Sequence, residues 1–322
     1  MSFIIPRFFV RTSFFSPFKR LLCIKCDSLR YKVLKTVKTR FFKPIFIFQS
    51  QKEAYIYNSN KIMWTNDKIL RLAMEQSARD LSCEAGDFLL SEHVFVESKT
   101  SPDARKYLTL PFSCQMVSYG NNIVVSAASE FRDIAVNYLA KTDTAHAFET
   151  PSIHLLNHEL EALGQKICFM AEYFLPDINS LKPLDCSYEL RLLGSEDFGD
   201  LYLPQWSNAL CKDRSHLDVL GIGAYDGNKL IGLAGCSADC DTMWQIGVDV
   251  LPDYRRQGIA SALTARLALE ILGRGKVPFY CAAWCNIKSV RNAIKSGFIP
   301  AWVEMTVKSS NFIDQMNKNK IL

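Results

Sequence analysis

Hydrophobic positions recur along most of the chain at two spacings, each marking an element. Thr65, Asn66 and Asp67 carry short oxygen side chains of the kind that cap helices. Ile69, Leu70, Leu72 and Ala73 then follow at helical spacing, predicting a helix over 67–81. A loop containing Ser101-Pro102-Asp103 comes next. Two β-rich runs, 113–119 and 123–127, flank Gly120-Asn121-Asn122, the pattern of a hairpin. Phe131, Ile134, Ala135, Tyr138 and Leu139 predict a helix over 130–140, and 152–163 reads as another, with Ser152 as its N-cap and Gly164 ending it. The run 165–174 reads as a strand, broken by Leu175-Pro176-Asp177.

Residues 177–185, with Asn179, Ser180 and Pro183, have the composition of a short linker. Beyond it, 187–193 alternates as a strand. Ser195, Glu196 and Asp197 open a predicted helix carrying Phe198, Leu201, Leu203 and Trp206. The runs 219–225 and 230–236 are strands joined by the turn Asp226-Gly227-Asn228-Lys229, and 243–251 completes the meander. A helix over 258–272, a strand over 278–284, a helix over 287–296 ended by Gly297 and a strand over 302–307 follow. The expected class is α+β with a mixed α/β sheet. A small α+β module occupies 63–176, a second domain 186–308 and a polar tail 309–322.

Charge sets residues 1–62 apart. They hold ten of the 21 Phe and 13 Lys or Arg against only Asp27 and Glu53, a net +11. The remaining 25 bases and 31 acids give 63–322 a net −6, which argues against a nucleic-acid-binding role for that part. The basic, Phe-rich extension resembles an organellar transit peptide in composition. It reads rather as disordered or as not native sequence, with Met63-Trp64 as a well-formed start. No apolar run reaches the roughly 18 residues that span a bilayer, so no membrane partner is expected. The 11 Cys, an odd number in no disulfide framework, fit a reducing, cytoplasmic setting. Cys23/Cys26, Cys236/Cys240 and Cys281/Cys285 have half-site spacing without a His at zinc-like distance. His154 and His158, four apart, lack a third ligand, so no metal is expected.

The chemistry concentrates at 248–265. A strand apolar at nearly every position runs into Arg255-Arg256-Gln257-Gly258-Ile259-Ala260 and then directly into a helix. The first turn of a helix offers unpaired N–H groups at the positive end of its dipole, a site for an anion. Gly258 permits close backbone approach, Ala260 is small, and the two arginines supply charge and paired donors. The pattern fits a pyrophosphate without saying which one.

The run Val248-Asp249-Val250-Leu251-Pro252-Asp253-Tyr254-Arg255-Arg256-Gln257-Gly258-Ile259-Ala260 resembles motif A of the GNAT acetyltransferases. The strand over 278–284, Asn286 with Ser289, and Gly297-Phe298 are similar to the family's second conserved block, and the element order agrees over 187–308. The resemblance does not obviously extend to 63–176, whose ββα core could be a degenerate copy of the same fold. It implies acetyl-CoA as cofactor, with pantetheine along the backbone of Val248 and Val250, pyrophosphate at the amides of Arg256, Gln257, Gly258, Ile259, Ala260 and Ser261, and Asn286 touching the cofactor. The reaction implied is attack of an amine on the thioester, with a proton taken from the ammonium and one returned to the thiolate.

Where the family often carries a Tyr seven residues after the Asn, this chain has Ala293; where it often carries a Glu four residues before Val248, it has Trp244. Asp249 and Glu304, with Asp241, are the remaining candidate catalytic carboxylates. Among Trp206, Trp244, Trp284 and Trp302, most are expected in the core, with Trp244 the one to line a pocket. The function expected is acetyl transfer to a small-molecule amine or peptide acceptor, a basic acceptor being favoured by the acidic charge of 63–322. The alternative, raised by the missing Tyr and Glu, is a non-catalytic acyl-CoA-binding sensor or interaction module.

Overall fold

The computed structural model describes residues 63–321, and the extension 1–62, with Cys23 and Cys26, lies outside the described residues. In chain order the elements are α1 (Asn66–Leu81), β1 (Val94–Glu97), β2 (Cys114–Ser118), β3 (Val124–Ala127), α2 (Ser129–Leu139), α3 (Thr150–Glu161) and β4 (Gln165–Pro176). There follow β5 (Glu189–Gly194), β6 (Asp218–Asp226), β7 (Lys229–Ser237), β8 (Met243–Val250), α4 (Ile259–Gly273), β9 (Val277–Ala282), α5 (Ile287–Lys295), β10 (Phe298–Ser309) and α6 (Ser310–Ile321). This is the expected α+β fold with a mixed sheet. Thr65 caps α1 as expected, its side chain accepting from the Lys68 amide at 3.2 Å.

Four local expectations are corrected. Ser152 lies inside α3, which starts at Thr150 with Pro151 in its first turn, where a missing N–H costs nothing. The helix expected after Ser195 is a string of short 3-10 turns at 195–197, 199–201 and 204–206, because Gly199 and Pro204 interrupt it. β1 falls in a stretch expected as loop; its four residues are too few to show alternation. The polar tail carries α6, whose Ser310 amide is fixed on the Gly164 carbonyl at 2.9 Å.

All ten strands join one sheet in the order β1-β3-β2-β10-β4-β9-β8-β7-β6-β5. Among the described residues only β1–β3 and β8–β9 pair in parallel. The segments before and after 177–185 share this sheet. β4, from before the linker, lies between β9 and β10, and β10, from the end of the chain, lies between β4 and β2. α4 packs through Ile259, Leu263, Leu267 and Ile271 into the core formed with β6, β7 and β9.

β9 changes partner along its length. Its first residues pair with β8, up to Gln245↔Phe279. Tyr280, Cys281 and Ala282 pair instead with Phe174, Tyr173 and Glu172 of β4. Past Gln245, therefore, β8 is no longer paired to β9, and a cleft opens there.

A buried ionic cluster ties α1 to β10. The Arg105 side chain, 2% exposed, donates through Nε to Asp80 Oδ2 of α1 and through Nη2 to Glu304 Oε1 of β10. Its Nη1 donates to the Tyr107 hydroxyl at 2.7 Å, and the Arg105 amide donates to Asp80 Oδ1 at 2.8 Å. Burial pulls the guanidinium pKa down, but Asp80 and Glu304 together outweigh it and hold Arg105 firmly charged. Trp302 Nε1 donates to the same Glu304 oxygen at 2.8 Å, its ring stacked between Tyr119 and Tyr173 at 5.5 and 4.7 Å. Replacing Arg105 by Met leaves two buried carboxylates without their shared cation. The R105M variant is expected to lose about 3–5 kcal/mol of unfolding free energy, read from urea denaturation followed by circular dichroism.

Candidate active site

The cleft at the β8–β9 divergence has a volume of about 1480 Å³. One wall is β8 from Gln245 to Val250 with the start of α4; the other is the end of β9 with α5. Its floor continues across Tyr173 of β4 and Glu304, Thr306 and Lys308 of β10, and the loop that carries Tyr107 and Thr109 also lines it.

The mouth is the loop before α4. Gly258 is the N-cap residue at φ 84°, and Arg256 also takes a left-handed conformation at φ 65°, one that a residue with a Cβ adopts at a cost. A Cβ added to Gly258 would lie 3.7 Å from Lys295 Nζ, so a cation stands directly over the loop. Lys288, Arg291 and Lys295 of α5 line the cleft, as do Arg255 and Arg256 from the other wall. Together with the free first-turn amides of α4 they make this mouth strongly positive.

The expected binding residues divide by what their side chains are free to do. Ile259 is buried in the core and Ser261 Oγ donates to Asn292 Oδ1 at 3.1 Å, so these two offer backbone amides only. Ala260 is half-buried at the cleft wall. Gln257 Oε1 accepts from the Tyr188 hydroxyl at 3.1 Å. Arg255 Nε donates to the Val250 carbonyl at 2.9 Å, bracing the loop against β8 and occupying an acceptor that was expected to face the cofactor. Val248 and Val250 both line the unpaired side of β8. Asn286 lines the cleft as the N-cap of α5, its Oδ1 accepting from the Ser289 amide at 3.3 Å.

The candidate carboxylates separate in the same way. Asp249 lines the cleft, but both its oxygens are engaged by one segment. Oδ2 accepts from the Asn208 and Ala209 amides at 2.8 and 3.0 Å, and Oδ1 accepts from Asn208 Nδ2 at 2.6 Å. That segment lies flat on β8 because position 247 is glycine: a Cβ there would fall 1.7 Å from the Asn208 carbonyl oxygen. Glu304, 4% exposed, faces the cleft with Oε1 held by Arg105 and Trp302. Asp241 is exposed in the turn before β8, outside the cleft lining.

Position 293 is a fully buried alanine in the core behind α5. Trp244 is corrected: it packs against the core and does not line the cleft, because β8 turns its neighbour Gln245 there instead. Trp206 and Trp302 are buried, while Trp284 is 42% exposed. Tyr280, expected only as part of an apolar strand, lines the cleft with its hydroxyl 2.7 Å from Ser289 Oγ. Arg105, Tyr107 and Lys308 were missed altogether. No local pattern marks them, since Arg105 and Lys308 find their partners 199 positions away in sequence.

The sequence model of the GNAT acetyltransferases matches residues 157–301. The matched residues, a little under half of the chain, form a GNAT-like domain. Solved structures of similar fold include a putative GNAT acetyltransferase of Novosphingobium aromaticivorans, with 18% identity, 45% of this chain and 66% of that one covered, and a TM-score of 0.35. A GCN5-related N-acetyltransferase-like protein of Streptococcus suis has 22% identity over 49% of this chain and 69% of its own, TM-score 0.37. A GCN5-related N-acetyltransferase of Kribbella flavida has 13% identity over 62% and 88%, TM-score 0.40. No curated protein matches the chain.

The GNAT match ends before Glu304 and begins after Arg105 and Tyr107, so the chain supplies much of the cleft floor from outside it. Within the domain, Asp249 acts as a brace for the 208–209 segment. Its replacement by Asn keeps one acceptor oxygen but removes the charge that strengthens the bonds to the two amides. D249N is expected to lower the melting temperature and raise the KM for acceptor while largely sparing kcat. A kcat loss above about a hundredfold at unchanged stability would instead mark Asp249 as a base.

Proposed function

We propose that the chain is an acetyl-CoA-dependent N-acetyltransferase acting on an amine acceptor. The observation that carries this reading is the left-handed Gly258 turn, ringed by five cations, at the mouth of a cleft that runs along unpaired β strand. That combination suits a long ligand with a polyanionic head and an amide-bearing arm, which is the chemistry of coenzyme A. The residues present fit it. The amides of 256–261 and the α5 lysines would hold the phosphates, the free edge of β8 would meet the arm, and Asn286 would stand beside it.

When bound, acetyl-CoA supplies an acyl group activated as a thioester. The protein's part is to bring an amine to it in neutral form. Glu304 is the group placed for this, a carboxylate at the cleft floor whose orientation Arg105 and Trp302 fix through one oxygen. It takes the proton from the incoming ammonium. Transfer is direct. Cys281 is the only thiol in the cleft lining among the described residues, and burial, then the nearby Glu304, push its pKa up to about 11. It therefore stays a protonated thiol near neutral pH and is a poor nucleophile. The Tyr280 hydroxyl, its pKa raised by burial, stays protonated and able to donate to a developing thiolate. A cytoplasmic location belongs to this proposal and rests on the cysteine usage.

A second reading is an acyl-CoA sensor without turnover. It is favoured by Ala293 in the core, Trp244 packed away from the cleft and Asp249 committed as a brace. Calorimetry with the full chain is expected to show acetyl-CoA binding. Gly258→Glu, which places a carboxylate and a Cβ at φ 84°, is expected to weaken that binding at least a hundredfold. Normal binding by G258E would remove the basis of the site. Clear binding with no thiol release across a panel of amines would select the sensor.

A further inference from the structure

We propose that Lys308 forms the far end of the acceptor site and binds an anionic group, so that the acceptor is an extended amine with a carboxylate or similar anion at its distal end. This rests on the acetyltransferase reading above. Lys308 lines the same cleft as Glu304 and lies on the same face of β10, four residues further on. Its Nζ donates to Thr109 Oγ1 at 2.8 Å and sits 4.1 Å from the Phe112 ring centroid and 6.0 Å from that of Phe312. No carboxylate lies within ion-pair distance of it among the described residues. Its cross-strand neighbour Lys166, by contrast, has Glu161 and Asp314 each at 3.9 Å. Burial lowers the Lys308 pKa below that of a free lysine. This half-buried lysine is held by one hydroxyl and two rings, with the Cys168 thiol as a further electrostatic neighbour but no carboxylate beside it, and an anionic ligand can supply the full counter-charge.

The fold also sets a length. Four residues of β10 separate the two positions by about 13 Å at the backbone. An acceptor that meets both side chains must therefore be extended, with its amine and its anion several bonds apart. Between them lie the apolar surfaces of Phe169 and Leu108, suited to a methylene chain. An α-amino acid is too short to reach both ends. A linear polyamine places a cation against Lys308.

The test compares 6-aminohexanoate with hexylamine, the same chain without the carboxylate, on the full-length protein in the presence of coenzyme A. Calorimetry is expected to show 6-aminohexanoate binding at least tenfold more tightly, a preference kept by Lys308→Arg, lost by Lys308→Met and replaced in Lys308→Glu by preference for 1,6-diaminohexane. Equal binding of the two probes by the wild type, or the same ratio in K308M, would overturn the proposal. Thiol release from acetyl-CoA in parallel reactions reports the transferase reading separately. Selective binding without turnover keeps the Lys308 site and sinks the transferase; turnover of both amines with equal efficiency does the reverse.

Discussion

A guanidinium buried between two carboxylates is costly unless its nitrogens find partners, and each of the three in Arg105 has one. Asp80 comes from α1, Glu304 from β10, and Tyr107 from a loop that lines the cleft. Desolvating three charges is repaid only in this geometry, so the cluster fixes where these three segments meet. Two consequences reach the site. Glu304 is held by Arg105 and Trp302 in one orientation toward the cleft, and the loop from Arg105 to Phe112 has one end anchored inside the protein.

The sheet sets the remaining constraint. β4 enters between β9 and β10, drawing the end of β9 away from β8, and the gap this leaves is the cleft. Strands from both sides of the 177–185 linker are therefore needed to make it. The positive mouth, by contrast, is built almost wholly within the GNAT domain, from the α4 turn and one face of α5. The cleft thus joins a basic end made by the family match to a floor made mostly by residues outside it.

The parts legible in the sequence are those coded locally. The Arg255–Ala260 loop, the Gly227 turn and the capping of α1 each depend on a few adjacent residues, and each stands where expected. The parts that were not legible depend on pairing across the chain. Arg105 sits in a stretch with no periodicity, and nothing near it signals a buried cation; its partner Glu304 reads as one acid on an alternating strand. Asp249 shows the opposite failure. Its place just before the Arg255–Ala260 loop suggests chemistry, yet the Asn208–Ala209 segment that engages it is brought there by glycine at 247, a contact that spacing does not reveal.

The central claim is that the α4 turn and the unpaired edge of β8 bind coenzyme A, and hydrogen exchange of the full chain with and without acetyl-CoA tests it most directly. Slowed exchange is predicted at the amides of 256–261 and along 245–250, with no comparable change in β1 or α3, which lie away from the cleft. Unchanged exchange in both cleft segments at saturating acetyl-CoA, or protection confined to another part of the protein, would contradict it.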